Sequence, residues 1–199
     1  MFVKQLSPIL TLSSRVAIKN LVPERQNSIP ITQLRWLMDL RNRDKVIRKA
    51  LGIEGQQNWE TQLFWYKKFI FDRTSGIYMI HFGSNFAGYL NFFDLNLDHK
   101  RIEVGIKLAE AFRGKGLGRQ TFEFWCDMLL KFYGLNKIYL KVRHHNVIAR
   151  RLYESIGFKI SGRFPSHFYQ DKEWVDYIIM TLYPDDFTPS TIVDSSGCV

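Results

Sequence analysis

The chain lacks what would make it a secreted mini-scaffold, a membrane span or a metal module. Its two cysteines, Cys126 and Cys198, are too few for a disulfide framework and show no metal-ligand spacing. No metal site and a reducing, cytoplasmic setting are therefore expected. No run approaches the ~20 apolar residues of a spanning helix, so no membrane contact is expected. The N-terminus is broken by Lys4, Gln5, Ser7 and Pro8 and does not read as a signal peptide. Acidic residues are also scarce, 19 against 28 Lys and Arg, with none before Glu24, which leaves a net charge of +9. That balance favours anionic ligands. The basic residues fall in short groups, Arg41 to Arg48, Arg113 to Arg119 and Arg143 to Arg151, instead of along one helix, so nucleic acid is not an expected partner.

What is present is enough for one domain with a sizeable core: 199 residues, 46% of them hydrophobic. The reading divides the chain into an N-terminal appendage (1–14), a single domain (15–183) and a C-terminal tail (184–199) rich in Asp, Pro and Ser that is expected to be mobile. Alternation predicts a strand near Arg15 to Val22, followed by a polar linker from Pro23 to Pro30. Helical spacing predicts Ile31 to Leu40, Lys45 to Leu51 and Trp59 to Phe71. Strands follow at 76–83, 85–95 and Arg101 to Leu108, expected to pair antiparallel. An amphipathic helix then places Phe122, Trp125, Leu129 and Phe132 inside and Gln120, Glu123, Asp127 and Lys131 outside, ending at Gly134. Lys137 to Val142 reads as a strand, Val147 to Ile156 as a helix and Glu173 to Tyr183 as a long final strand. The class is mixed α/β (α+β).

Residues 103–119 carry the strongest chemical signal. An apolar strand runs into a turn with Gly114, Gly116 and Gly118, and the turn opens a helix. Glycine permits positive φ and close backbone approach, so successive N–H groups at a helix N-terminus can point at an anion such as phosphate. Arg113, Lys115 and Arg119 add positive charge, and Leu117 reads as a packing residue. About thirty residues on, Asn146 sits where a helix N-cap belongs and Gly157 where its C′ residue belongs.

Together the two stretches resemble the GNAT N-acetyltransferase superfamily, whose signatures are Gln/Arg-x-x-Gly-x-Gly/Ala after a strand and then Asn-x-x-Ala-x-x-x-Tyr-x-x-x-Gly-Phe. Arg113, Gly116 and Gly118 match the first; Asn146, Ala149, Tyr153, Gly157 and Phe158 match the second. The resemblance spans roughly residues 30 to 183 and implies the GNAT fold, a mixed central sheet of about seven mostly antiparallel strands flanked by helices. It implies acetyl-CoA as cosubstrate, with its pantetheine arm lying in a gap beside the strand before the turn. Ile106, Lys107 and Leu108 would then flank the arm, and Arg113, Gly114, Lys115, Gly116, Leu117, Gly118 and Arg119 would form the phosphate cradle, with Asn146 as a further contact. Tyr153 matches the family's proton donor to the departing thiolate, and Glu103, on the same strand, is the expected general base. His99 and His81 are alternative bases. His144 and His145, read as adjacent on an extended segment, should face opposite ways, against a shared metal site.

The N-terminal layout resembles the branch containing ribosomal-protein alanine N-acetyltransferases and the nucleotide-linked amino-sugar N-acetyltransferases of pseudaminic acid synthesis, on Leu40 to Asn42, Gln62 to Tyr66 and Asp176 to Met180. Relatives often carry a histidine where this chain has Gln62. The basic charge and the aromatics Trp59, Phe64, Trp65, Tyr66, Phe92 and Phe93 favour a nucleotide-linked 4-amino sugar as acceptor. The alternatives are a protein N-terminus, another small amine, or a non-catalytic acyl-CoA sensor. Scarce acidic residues argue against a polyamine. Oligomeric state is left open, a homodimer included.

Overall fold

The computed structural model describes residues 9–21 and 30–190. The expected linker at Pro23–Pro30 falls almost wholly outside these residues, as does the end of the expected tail with Cys198. Among the described residues eight strands form one sheet: β1 (Ile9–Thr11), β2 (Val16–Asn20), β3 (Gly76–Phe82), β4 (Asn85–Asn96), β5 (Arg101–Leu108), β6 (Lys137–Arg143), β7 (Lys159–Gln170) and β8 (Glu173–Leu182). Their order is β1-β2-β3-β4-β5-β6-β8-β7, with every neighbouring pair antiparallel except β5 and β6. The mixed α/β class expected from the sequence is the class observed.

Helices α1 (Ile31–Arg43), α2 (Lys45–Leu51) and α3 (Trp59–Phe71) lie between β2 and β3 in the chain. Their starts follow local chemistry. Asp44 caps α2 by accepting from the Val46 and Ile47 amides, and Asn58 and Thr61 form a reciprocal capping box on α3. Leu34, Leu37, Tyr66 and Phe69 pack with Ile77, Met79 and Tyr89 on one face of the sheet. Helices α4 (Leu117–Asp127) and α5 (Val147–Glu154) belong to the other face, where Phe122, Trp125, Tyr153 and Phe158 pack with Ile102, Val104, Ile138, Leu140 and Val142. Burial of each such side chain contributes roughly 1.5–3 kcal/mol before entropy is subtracted.

Four expectations are corrected. Phe132 is 74% exposed, because residues Met128–Phe132 form a π-helical turn that rotates the end of the helix off its α-helical face. Glu123, assigned to the polar face, is buried and accepts from the Ser190 amide and hydroxyl. That bond, together with the Thr188 amide donating to the Ile156 carbonyl, ties residues 184–190 to the domain, so the tail expected from Pro184 does not begin there. The appendage expected over residues 1–14 contributes β1 to the sheet edge. Gly157 has a positive φ of 110°, and a Cβ there would sit 1.9 Å from the Asp186 carbonyl oxygen, so the second motif's glycine is required by close approach of this returning segment. Among the described residues no helix is long and apolar enough to cross a membrane.

Candidate functional site

Strands β5 and β6 pair in parallel only at Arg101↔Lys137, Ile102↔Ile138 and Glu103↔Tyr139. Beyond Glu103 the two separate, while β5 runs on to Leu108 and β6 to Arg143. A gap therefore opens in the middle of the sheet, with one edge of β5 unpaired over Val104 to Leu108. It holds a cavity of about 320 Å³. Ile106, Lys107 and Leu108 line it from β5, Lys141, Val142 and Arg143 from β6, and Asn146, Ala149, Leu152 and Tyr153 from α5 and its cap. Val46, Ile47 and Ala50 of α2 close the opposite side, with Tyr177 from β8.

Arg113 and Gly118 line the same cavity. Gly116, at φ 79°, is the N-cap of α4, and the first in-helix bond runs from the Gln120 amide to the Gly116 carbonyl. The amides of the first turn before it have no intrahelical acceptor and are free to meet an anion. No protein atom lies within 4 Å of where a Gly116 Cβ would stand. The structure thus leaves open space beside this turn, which fits a phosphate-bearing ligand.

The cationic side chains of the turn are engaged within the protein, contrary to the expectation that they stand ready for phosphate. Arg113 Nε donates to the Leu108 carbonyl at 2.9 Å and its Nη2 to Asp44 at 2.5 Å. Lys115 Nζ donates to the Ala111 carbonyl, and Arg119 reaches the Ser155 carbonyl and Glu123. The backbone amides at the start of α4 are thus the donors that the turn leaves open. Leu117 is buried in the core, as its packing assignment requires.

Tyr153 is buried beside Phe122 and Phe158, with ring centroids 5.3 and 5.8 Å away. Burial, with the nearby Cys126 thiol second, pushes its phenol pKa well up, so it is a neutral O–H donor across the physiological range. Asn146 caps α5 by accepting from the Ala149 amide at 3.2 Å. Glu103 points to the other face of β5 and accepts from Lys141 Nζ at 2.8 Å. It is not among the residues lining the cavity, and its carboxylate is held in an ion pair.

The face of the sheet under α1 to α3 is rich in cations. Burial pulls the Lys107 ammonium down to about 8, opposed by Glu103 and assisted by Arg41. Its Nζ contacts Asn91 Oδ1 at 3.2 Å, over Gly105. Arg41 is buried, donates to Gln62 Oε1 at 3.2 Å and stacks 4.4 Å from the Trp65 ring. Gln62 therefore acts as a buried acceptor for Arg41, where a histidine would present a different group. Of the aromatics read as a stacking surface, Tyr66 and Phe92 are core, whereas Phe64 and Phe93 are exposed.

The alternative bases lie elsewhere. His81 is on β3 against Phe86, its pKa lowered by burial and by Lys19, and His99 sits in the turn after β4. His144 and His145 occupy a turn, so their rings meet edge-to-face at 5.2 Å, in contrast to the opposed orientation expected of a strand. No group of metal-ligating side chains occurs among the described residues. Sequence reasoning missed Lys141, Arg143 and Tyr177. The alternation of Lys141 and Arg143 with Leu140 and Val142 was the available signal, since it puts both cations on one face.

Comparison with known proteins matches residues 37–158 to the family model of the acetyltransferase (GNAT) family. Over 122 residues the chain is 25% identical to the spermidine N(1)-acetyltransferase of Escherichia coli K12, covering 61% of this chain and 66% of that one, just under two thirds of its length. The structure is similar to that of spermidine N-acetyltransferase from Vibrio cholerae in complex with CoA and spermine, with a TM-score of 0.74, 24% identity, and coverage of 87% and 98%. A ribosomal L7/L12 alpha-N-protein acetyltransferase gives the same TM-score at 17% identity, covering 88% of this chain and 93% of its own.

Proposed function

The chain belongs to the acetyltransferase (GNAT) family, and we propose that it transfers the acetyl group of acetyl-CoA to the primary amine of a small acceptor, with a nucleotide-linked amino sugar favoured. The observation that carries this reading is the parting of β5 and β6 after Glu103, with α4's N-terminus and Tyr153 both at the resulting gap. When bound, acetyl-CoA supplies a thioester whose carbonyl an amine can attack. The unpaired edge of β5 from Val104 to Leu108 offers backbone donors and acceptors to an extended arm. The amides between Gly114 and Arg119 take the phosphates, each charged hydrogen bond contributing roughly 1.5–3 kcal/mol. Asn146 holds the start of α5, which places Tyr153 at the gap. Tyr153 O–H then gives a proton to the departing sulfur. Glu103 receives the acceptor's proton on the far side of β5, with Lys141 holding its carboxylate in orientation. Cys126, free and buried, suits the reducing, cytoplasmic setting that goes with this activity.

The spermidine acetyltransferases similar to this chain favour a second reading, a polyamine acceptor. Four cations, Lys107, Arg113, Lys141 and Arg143, and no carboxylate line the cavity among the described residues; Arg113 and Lys141 are paired with Asp44 and Glu103, which leaves Lys107 and Arg143 to repel a polycation. The test is CoA-thiol release from acetyl-CoA with three amines: a UDP-linked 4-amino sugar, an N-terminal peptide and spermidine. Turnover with the sugar nucleotide alone is expected. Turnover with spermidine would move the acceptor to the polyamine reading, and acetyl-CoA binding without turnover on any amine would favour a sensor.

A further inference from the structure

Two cations at the gap, Arg143 and Lys107, make no ion pair among the described residues. Arg143 is 4% exposed, and it donates only through Nη1, to Gln170, with its guanidinium 5.2 Å from the Phe168 ring. Its Nε and Nη2 are buried without an acceptor. Lys107 Nζ donates to the neutral Asn91 and lies 5.9 Å from the Tyr89 ring centroid; the Glu103 charge favours its ammonium, but the two make no ion pair among the described residues. By contrast, the two other cations of the cavity are neutralised, Arg113 by Asp44 and Lys141 by Glu103. A buried cation left uncompensated is costly, and natural sites retain one where an anion arrives to pair with it.

The two cations come from opposite strands of the gap, Lys107 from β5 and Arg143 from β6, on the α2 side of the sheet. The cradle at α4 borders the same cavity but differs in kind, being made of backbone amides around Gly116. Resting on the acetyltransferase reading above, we infer that Arg143 and Lys107 form an anion clamp for a carboxylate or phosphate carried by the acceptor itself. The clamp selects amines that also bear a negative group and rejects polyamines. Arg143 presents a planar fork suited to two oxygens of one anion, and Lys107 adds a point charge.

A phosphate of the cosubstrate has the same chemistry, so the experiment separates the two sources. Protein saturated with CoA is titrated with inorganic pyrophosphate by calorimetry, for wild type, Arg143→Gln and Arg143→Lys. Wild type is expected to bind pyrophosphate with CoA in place, Arg143→Gln to bind it at least tenfold more weakly, and Arg143→Lys to recover part of the loss. The acetyl-CoA Kd should stay within about twofold in both variants, which also reports that they fold. A rise in acetyl-CoA Kd of tenfold or more in Arg143→Gln would assign the cation to the cosubstrate and overturn the clamp. So would the absence of pyrophosphate binding to CoA-saturated wild type, or efficient acetylation of spermidine. Wild type that bound no acetyl-CoA at all would instead contradict the acetyltransferase reading, and the clamp with it.

Discussion

Arg113, the first residue of the glycine turn's signature, donates one guanidinium nitrogen to the Leu108 carbonyl at the end of β5 and another to Asp44, the N-cap of α2. One side chain thus joins the strand, the cradle and the helix that closes the cavity. Asp44 serves two masters, since its Oδ1 accepts from the Val46 and Ile47 amides while its Oδ2 takes Arg113. Asp44→Asn keeps the cap and loses the ion pair; Asp44→Ala loses both, with ~1 kcal/mol for the cap alone. Urea denaturation should rank wild type above Asn above Ala. Equal values for the two variants would remove the capping part of this account.

Gly116 adopts φ 79° with no protein atom within 4 Å of the Cβ position. In Gly116→Val the left-handed conformation costs roughly 1–2 kcal/mol of stability. The larger effect falls on ligand binding, because the new side chain fills space that the turn keeps open. Calorimetry should show acetyl-CoA bound at least tenfold more weakly while circular dichroism is unchanged. Unaltered affinity would place the cradle elsewhere.

Lys107 makes stability depend on pH in a definite direction. Its pKa is about 8 in the folded protein, against ~10.4 for an unperturbed lysine. Between those values the unfolded chain binds more protons, so stability rises with pH there, and the penalty is fully present below about 8. Lys107→Met removes the penalty. Its melting temperature should exceed that of wild type at pH 7, and the difference should shrink towards pH 10.5. A constant difference would mean that packing, and not charge burial, sets it.

The sequence was most legible where local chemistry decides. Helices α2 and α3 begin and end where their caps and the polar residues after them require, at Lys45–Leu51 and Trp59–Phe71. Strand β5 ends at Leu108, and a short 3-10 turn at Glu110–Phe112 separates it from the glycine turn. Strand β7 was missed because it lies at the sheet edge, exposed along nearly all its length, so no period of two is imposed on it. Pro165 lies within it at a break in register between Phe164 and Phe168, which an edge strand tolerates. The partners of Glu103 and Arg143 were equally hidden. Lys141 is 38 residues from Glu103, and Gln170 is 27 from Arg143, so each contact exists only once the strands assemble. The placement of Asn146 and Tyr153 follows from one short helical motif, Asn146 as the cap of α5 and Tyr153 within it, and both stand at the gap.

In the proposed reaction Tyr153 donates the proton that releases the thiol from this gap. Its raised pKa keeps the phenol protonated, so its own ionisation should not limit the rate below about pH 10. The direct test is steady-state CoA release by wild type and Tyr153→Phe at saturating acetyl-CoA, with acetyl-CoA Kd measured separately. Loss of the hydroxyl should lower kcat by ~10² while Kd is unchanged. An equal kcat in the two proteins would contradict it.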